Sequence, residues 1–209
     1  SRKQSADRFL QLVEKGSIKA KDVPLSDLRR VALHKDPKLD ARVKKIWGRI
    51  GPGSSEEKLA AMRRFNNDLR GGAGNFLRGK KLFKKHCAIC HKLFDEGNKI
   101  GPDLTGANRR DRSAMLAALV DPSAVVRRQY LSYVVVTNTG QVVTGLIAEQ
   151  DAASVTLLDA KNRRTKIART EIGSIRESPV SLMPERQLEQ LRPQQVRDLF
   201  RYLQSNGRR

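Results

Sequence analysis

Lys84-Lys85-His86-Cys87-Ala88-Ile89-Cys90-His91, near the middle of a 209-residue chain, has two cysteines separated by two residues and followed at once by a histidine. The sequence has no other cysteine. Two thiols at this spacing on a turn of helix can add to the two vinyl groups of a porphyrin, and the adjoining imidazole can then bind the iron. We therefore predict one covalent haem c, with Cys87 and Cys90 as its thioethers and His91 as the proximal iron ligand.

Two other uses of a closely spaced cysteine pair fit this sequence less well. A structural zinc site normally takes four Cys or His ligands, whereas the chain has two Cys and three His, namely His34, His86 and His91. A thioredoxin-like dithiol belongs in a β-α-β setting, and the segment before this pair has helical spacing instead. The motif therefore favours haem over both alternatives.

The pattern of apolar residues divides the chain into four segments. Residues 1–70 have helical spacing and end at a linker, Gly71-Gly72-Ala73-Gly74, after which residues 71–128 carry the cysteine motif between two predicted helices. Residues 129–178 are rich in Val, Thr and Ile in short alternating runs, which is typical of strands, and residues 179–209 return to helix. The predicted fold class is α+β, mostly α, with a small β-barrel or sheet of SH3 or Sm type inserted between two helical parts.

Local signals place the ends of the N-terminal helices. Residues 25–33 have helical spacing, and Asp36-Pro37 predicts an N-cap followed by proline at the first helical position. Gly51-Pro52-Gly53 predicts the end of that helix, and Ser54 with Glu57 has the spacing of a capping box that would begin the next one. Antiparallel helix pairs joined by such turns resemble the end of a HEAT-like helical solenoid.

Further elements follow from the same periodicities. The other predicted helices are Asp7–Lys15, Glu56–Leu69, Asn75–His86, Arg112–Val120, Pro184–Leu191 and Pro193–Leu203. The predicted strands are Tyr130–Thr137, Gln141–Gln150, Val155–Leu158, Arg164–Ala168 and Ile172–Glu177.

The sequence on both sides of the motif resembles class I cytochromes c. Gly79-Lys80-Lys81-Leu82-Phe83 is similar to the N-terminal helix of that family, and Asp198-Leu199-Phe200-Arg201-Tyr202-Leu203 is similar to the C-terminal helix that crosses it. Gly101-Pro102-Asp103-Leu104 resembles the loop whose proline carbonyl orients the proximal imidazole. The resemblance therefore implies that Pro102 supports His91 from outside the ligand set.

Residues 79–203 resemble more closely a family of haem-binding domains found in planctomycete and verrucomicrobial proteins. The matching pieces are the haem motif, Gly101-Pro102-Asp103-Leu104-Thr105-Gly106, Asp121-Pro122-Ser123, Tyr130-x-x-Tyr133-x-Val135-x-Thr137, Ser181-Leu182-Met183-Pro184 and the last helix. In that family the domain commonly follows helical repeats and a propeller of sugar-dehydrogenase type. The resemblance implies a cytochrome c core split by the strands of residues 129–178.

The second axial ligand is expected to be a methionine, since His/Met ligation is that of class I cytochromes c. Met62 and Met115 lie in helical patterns, where methionine usually packs in a core. Met183 stands where the resembled family has its Met-Pro, and the inserted strands account for its distance from His91. We predict Met183 as the distal ligand.

Alternatives to Met183 remain open at this stage. His34 could bind the iron from the N-terminal helices, although a lone histidine at a helix end is more often a surface residue. His86 is too close to the thiols to reach the opposite face of the haem. An iron with an open distal position is the remaining alternative, and it would permit chemistry on peroxide or a gas.

The chain is strongly basic, with 42 Lys and Arg against 22 Asp and Glu. The electrostatic field of so many positive charges attracts acidic partners. Five lysines lie around the motif and form either a docking ring or a solvated helix face: Lys80, Lys81, Lys84, Lys85 and Lys92. Nucleic acid is an unlikely partner because only the charge supports it. Aromatic side chains that could flank the haem or simply pack are Trp47, Tyr130 and Tyr133.

The predicted function is that of a monohaem electron carrier and not an enzyme, exchanging single electrons between a donor, such as a fused or partner dehydrogenase, and an acceptor. The alternative is a haem enzyme or a gas or redox sensor with an open distal site. No apolar run approaches the roughly 18 residues that a membrane-spanning helix needs. The chain begins Ser1-Arg2-Lys3 without Met, which we interpret as a mature or excised piece. The resemblance implies a periplasmic or otherwise extracytoplasmic location.

Overall fold

A computed structural model describes residues 2–23, 27–28, 31, 34, 36–50 and 54–207. Its α-helices are α1 (Arg2–Glu14), α2 (Pro37–Trp47), α3 (Glu56–Arg70), α4 (Phe76–His86), α5 (Arg112–Val120) and α6 (Pro193–Leu203). Its strands are β1 (Arg49–Ile50), β2 (Val125–Val126), β3 (Ser132–Thr137), β4 (Val142–Gln150), β5 (Ser154–Leu158), β6 (Arg164–Ala168) and β7 (Ile172–Glu177). Single 3₁₀ turns span Ala20–Asp22, Arg128–Tyr130, Arg169–Glu171 and Leu188–Gln190.

Helices α1 and α2 form a small hydrophobic cluster of their own. Its buried members are Ala6, Leu10, Val31, Leu39 and Val43. Asp36 caps α2 by accepting hydrogen bonds from the backbone nitrogens of Lys38 and Leu39, at 2.8 and 3.3 Å, as the Asp-Pro pair predicts. Of the helix predicted over residues 25–33, only part falls within the described residues, and the predicted stop at residues 51–53 lies outside them.

Helix α3 does not belong to this cluster. It packs against α5 and α6 and buries Phe65 and Leu69 in a second, larger core. It is capped by Ser55 and not by Ser54, so the predicted capping box is wrong. The Ser54 hydroxyl instead donates to the Asp121 carboxylate at 2.7 Å, a contact across the core that competes with the local cap. The resemblance of residues 1–70 to a HEAT-like solenoid and the predicted domain boundaries stay predictions.

The larger core is built on the crossing of α4 and α6. Gly79 lies so close to the carbonyl oxygen of Asp198 that an added Cβ would stand 1.9 Å from it. Phe83 and Tyr202 are fully buried at this crossing, with ring centroids 5.5 Å apart. Each side chain of this kind stabilises the fold by about 1.5–3 kcal/mol on burial. The backbone of Gly74, in the predicted linker, also packs closely on α6.

Strands β3 to β7 form a five-stranded antiparallel sheet in the order β6-β5-β4-β3-β7. Its buried side chains are Val135, Val155, Leu157 and Ile167. The predicted sheet is therefore confirmed, but the alternative of a closed barrel is wrong. In the described structure the two edge strands, β6 and β7, do not pair with each other, because β7 follows the 3₁₀ turn and then pairs with the outer side of β3.

The segment between the sheet and α6 consists of bends and irregular backbone, contrary to the helix predicted over 184–191. Only Leu188–Gln190 forms a 3₁₀ turn there. Arg186 adopts a φ of +60°, a left-handed conformation that interrupts a right-handed helix. This segment carries Met183.

Candidate functional site

The cysteine motif continues α4 by one turn. The backbone nitrogens of Cys90 and His91 donate to the carbonyl oxygen of Cys87, at 3.0 and 2.9 Å, and the nitrogen of Cys87 donates to Phe83 at 2.8 Å. Because Phe83 is fully buried, the start of the motif is anchored in the core. Both cysteines are half-buried and lie three residues apart on this one turn.

His91 is held in a defined orientation by the loop that follows. Its Nδ1 lies 3.0 Å from the carbonyl oxygen of Pro102, so that Nδ1 carries the proton and donates it. Nε2 is then the unprotonated nitrogen, the form in which an imidazole binds a metal. The structure thus places the Pro102 carbonyl beside the His91 ring, and the role of Pro102 toward an iron ligand stays a prediction.

Gly101 brings the same loop against the face of the imidazole. A Cβ at this position would stand 2.7 Å from Cε1 of His91 and 3.0 Å from its Nδ1, so only glycine fits without displacement. The Gly101 nitrogen donates to the carbonyl of Cys90 at 2.7 Å, and the Leu104 nitrogen donates to that of Lys92 at 2.8 Å. The loop is thus fastened to the motif on both sides of Pro102.

Burial sets the protonation states at the motif. It raises the pKa of Cys87 to about 12, with a further contribution from Cys90, and it raises the pKa of Cys90 as well. A reactive dithiol needs the opposite shift, since the thiolate is the reactive form. Burial lowers the pKa of His91, and the hydrogen bond to Pro102 partly offsets this effect. The imidazole is therefore held neutral, as a metal ligand must be.

The three methionines occupy different surroundings. Met62 and Met115 pack against the larger core, as predicted for core methionines. Met183 is half-buried and belongs to none of the three hydrophobic clusters formed by the described residues. Its backbone nitrogen donates to the Ser181 hydroxyl at 3.1 Å, and the Ser181 nitrogen donates to the Ser123 hydroxyl at 3.0 Å.

Other residues singled out in the sequence are less closely tied to the motif. Trp47 packs against the cluster of α1 and α2 and donates its indole N–H to the carbonyl of Ala20 at 2.8 Å, which is a structural role. Tyr133 is half-buried in β3, and Tyr130 is half-buried in a 3₁₀ turn. Among the described residues, no group of three or more His, Cys, Asp or Glu side chains is arranged to hold a metal ion.

The lysines around the motif do not act as one ring. The ammonium groups of Lys80 and Lys84 each lie 3.0 Å from the Glu96 carboxylate, which neutralises part of their charge. Lys81 and Lys85 are exposed, whereas Lys92 is half-buried. Lys81 and Lys85 are therefore the lysines of this group best placed to meet an acidic partner.

One neighbour of the motif could not be found from the sequence. The Cys90 sulfur lies 3.8 Å from the carbonyl oxygen of Ala160, in the turn between β5 and β6. The turn signal at residues 159–162 indicates a hairpin, but nothing in it indicates which part of the chain that hairpin meets. The five-stranded sheet therefore contacts Cys90 through this turn.

A family model described as Cytochrome c matches residues 76–157. The match begins at α4, includes the motif and α5, and ends within β5, so it covers less than half of the 209 residues. It supports a c-type cytochrome with covalently bound haem c and haem-based electron transfer. Met183 and α6 lie beyond it. Among the helices that the structure describes, none is long and apolar enough to cross a membrane.

Proposed function

We propose that this chain is a monohaem electron-transfer domain in which Cys87 and Cys90 hold the haem and His91 and Met183 bind its iron. The observation that carries the proposal is the imidazole of His91, fixed by the Pro102 carbonyl at 3.0 Å one residue after a CxxC turn. Bound haem supplies an iron centre that accepts and releases one electron at a time. The residues present fit this group, because two closely spaced thiols can bind the porphyrin covalently, and a neutral imidazole and a thioether are ligands that haem iron accepts.

The loop around Pro102 has a definite task in this function. Its carbonyl fixes which nitrogen of His91 carries the proton, and the hydrogen bond raises the basicity of the nitrogen that faces the iron. Gly101 lets the loop approach the ring closely enough for this bond to form. An imidazole of fixed orientation and constant basicity suits electron transfer, since the same ligands must bind the iron in both oxidation states.

Met183 is the distal ligand in this proposal. It is supported by the position of Met183 in an irregular segment outside the hydrophobic clusters of the described residues, whereas Met62 and Met115 are used in core packing. A thioether ligand raises the reduction potential relative to a second histidine. With His91 and Met183 both bound, the iron would have no open position for a substrate.

The proposal also includes partners and location. Exposed lysines such as Lys81 and Lys85, on a chain of net charge +20, favour an acidic redox partner. We propose that the domain works outside the cytoplasm, as c-type cytochromes usually do, between a dehydrogenase and a downstream acceptor.

The optical spectrum of the oxidised, haem-loaded protein tests the ligand assignment. We expect the weak charge-transfer band of sulfur–iron ligation at the red end, lost in Met183→Ala and kept in Met115→Ala, which removes a methionine that packs in the core. Replacing Cys87 and Cys90 by Ser should abolish covalent haem on a denaturing gel. A wild-type protein without the band that binds carbon monoxide readily would instead support a haem enzyme or gas sensor with an open distal site.

A further inference from the structure

The segment that carries Met183 is fastened to helix α3, which lies outside the residues matched by the cytochrome c family. The ammonium group of Lys58 on α3 lies 2.7 Å from a carboxylate oxygen of Glu185, two residues after Met183. The same ammonium lies 2.8 Å from a carboxylate oxygen of Asp121 at the end of α5. One cation therefore joins three parts of the chain that are far apart in sequence.

The Asp121 end of this contact is shielded from water. Asp121 is 5% exposed, and its second oxygen accepts the hydroxyl of Ser54 at 2.7 Å. Lys58 itself is 27% exposed, so its charge is only partly screened by solvent. A cation between two carboxylates, one of them buried, is held more firmly than a surface ion pair.

A second contact restrains the segment just beyond Glu185. Arg186 has a left-handed φ of +60°, which a non-glycine residue adopts only at a cost. Its guanidinium lies 2.9 Å from the carboxylate of Glu57, the neighbour of Lys58 on α3. On the other side of Met183, Ser181 is tied to Ser123 beside Asp121. The segment is thus held at both ends, by α3 and by the turn after α5.

We propose that Lys58 is a positioning residue for Met183, holding its segment so that the thioether stays on the iron. This inference rests on the proposed ligation by Met183. Without the ammonium group, the carboxylates of Asp121 and Glu185 face each other with no cation between them, and like charges repel. The segment is then pushed away from α5, and Met183 leaves the iron more often.

Competition with imidazole measures this effect directly in the haem-loaded full chain. Imidazole in solution replaces a distal methionine only when the methionine has left, so a looser segment raises the apparent affinity for imidazole. We expect Lys58→Met to bind imidazole roughly tenfold more tightly than wild type, a modest effect for a partly shielded ion pair. Its red charge-transfer band should also disappear at a lower temperature than that of wild type.

Three further variants make the result specific. Lys58→Arg keeps the cation and should restore wild-type affinity for imidazole. Arg63→Met removes an exposed cation of the same helix, paired with Glu56, and should leave the affinity unchanged. Glu185→Gln removes the negative charge that attracts Lys58 to the Met183 segment but keeps the Lys58–Asp121 pair. It should therefore also raise the affinity for imidazole, and it tests the inference independently if Lys58→Met does not fold.

The outcomes separate this inference from the proposed function. A wild-type band that is lost in Met183→Ala, together with equal imidazole affinities for wild type, Lys58→Met and Glu185→Gln, would overturn the role of Lys58 and leave the ligation intact. A wild-type protein without the band would overturn both.

Discussion

Gly101→Ala is the most direct perturbation of the His91 site. The added Cβ would stand 2.7 Å from Cε1 of His91 and 3.2 Å from its Nε2, whereas carbon atoms in contact are normally about 3.5–4.0 Å apart. The ring or the loop must therefore retreat by roughly 1 Å. The φ of Gly101 lies outside the left-handed region, so the expected effect is steric and not a matter of backbone strain.

The magnitude follows from the cost of overpacking. Inserting a methyl group into a well-packed contact costs about 1–3 kcal/mol. For a urea dependence of about 2 kcal/mol per molar, the unfolding midpoint should fall by about 0.5–1.5 M. The hydrogen bond from Nδ1 to Pro102 should also lengthen beyond 3.0 Å, because Pro102 moves with its neighbour. Weaker donation makes the ligand less basic, so the reduction potential should rise.

The assay is urea unfolding and redox titration of the haem-loaded protein, with Gly106→Ala as the matched control. Gly106 lies in the same loop, and its added Cβ would meet no atom within 4 Å. The control should stay within about 0.5 kcal/mol of wild type. Equal midpoints and equal potentials for Gly101→Ala and Gly106→Ala would refute the argument that Gly101 is needed for the loop to support His91.

Three further results are expected. In Gly79→Ala a Cβ 1.9 Å from the Asp198 carbonyl oxygen forces α4 and α6 apart. Urea unfolding should therefore show that the free energy of unfolding falls by about 3 kcal/mol or more. An unchanged unfolding midpoint would contradict the close crossing of the two helices. Burial tends to raise the pKa of Asp198, but hydrogen bonds, chiefly from Arg78, outweigh it and lower the pKa below the ordinary 3.8. The ionised Asp198 carboxylate therefore stabilises the fold at pH values above its ordinary pKa, and this stabilisation is lost as the pH falls through the lower pKa of the folded state. Asp198→Asn should flatten the acid part of a plot of stability against pH. Parallel plots for the variant and wild type would argue against this contribution. Oxidation of the protein by anionic ferricyanide, followed by stopped flow, should slow when salt is added. The slowing should be larger in wild type than in a variant with Lys81 and Lys85 replaced by Glu. An equal dependence of the rate on salt in both proteins would show that these lysines do not contribute to docking.

Helix ends were predictable where the signal is local. Asp36 caps α2, and the predicted bounds Arg112–Val120 and Pro193–Leu203 are those observed for α5 and α6. Capping and apolar periodicity depend on residues a few positions apart, so they can be recognised in the sequence. Ser54 and Ser55 could both cap α3, and the choice between them is made by Asp121, which lies far along the chain. That choice is invisible to any local pattern.

The sheet illustrates a similar limit. Alternation of apolar residues indicated five strands with nearly correct ends, because side chains alternate between the two faces of a strand. It does not encode which strands pair at the edges, so closure into a barrel could not be decided. Nor could it show that the turn containing Ala160 reaches the sulfur of Cys90. The helix predicted over residues 184–191 failed because Arg186 takes a left-handed conformation that its sequence neighbours do not signal.

The site therefore has two parts that differ in how they are specified. The part around His91 is encoded within about sixteen consecutive residues, since Gly101 bonds to the motif through the backbone and the His91 ring bonds to the Pro102 carbonyl. The proposed distal part, around Met183, would depend on side-chain contacts between residues more than sixty positions apart, such as Lys58 with Asp121 and with Glu185. Such contacts can change without disturbing the motif, because neither Lys58 nor Asp121 belongs to the helical turn or the loop that fixes His91. Proteins sharing the motif can thus keep one proximal site while differing in how firmly the distal thioether is held, and hence in ligand exchange and reduction potential.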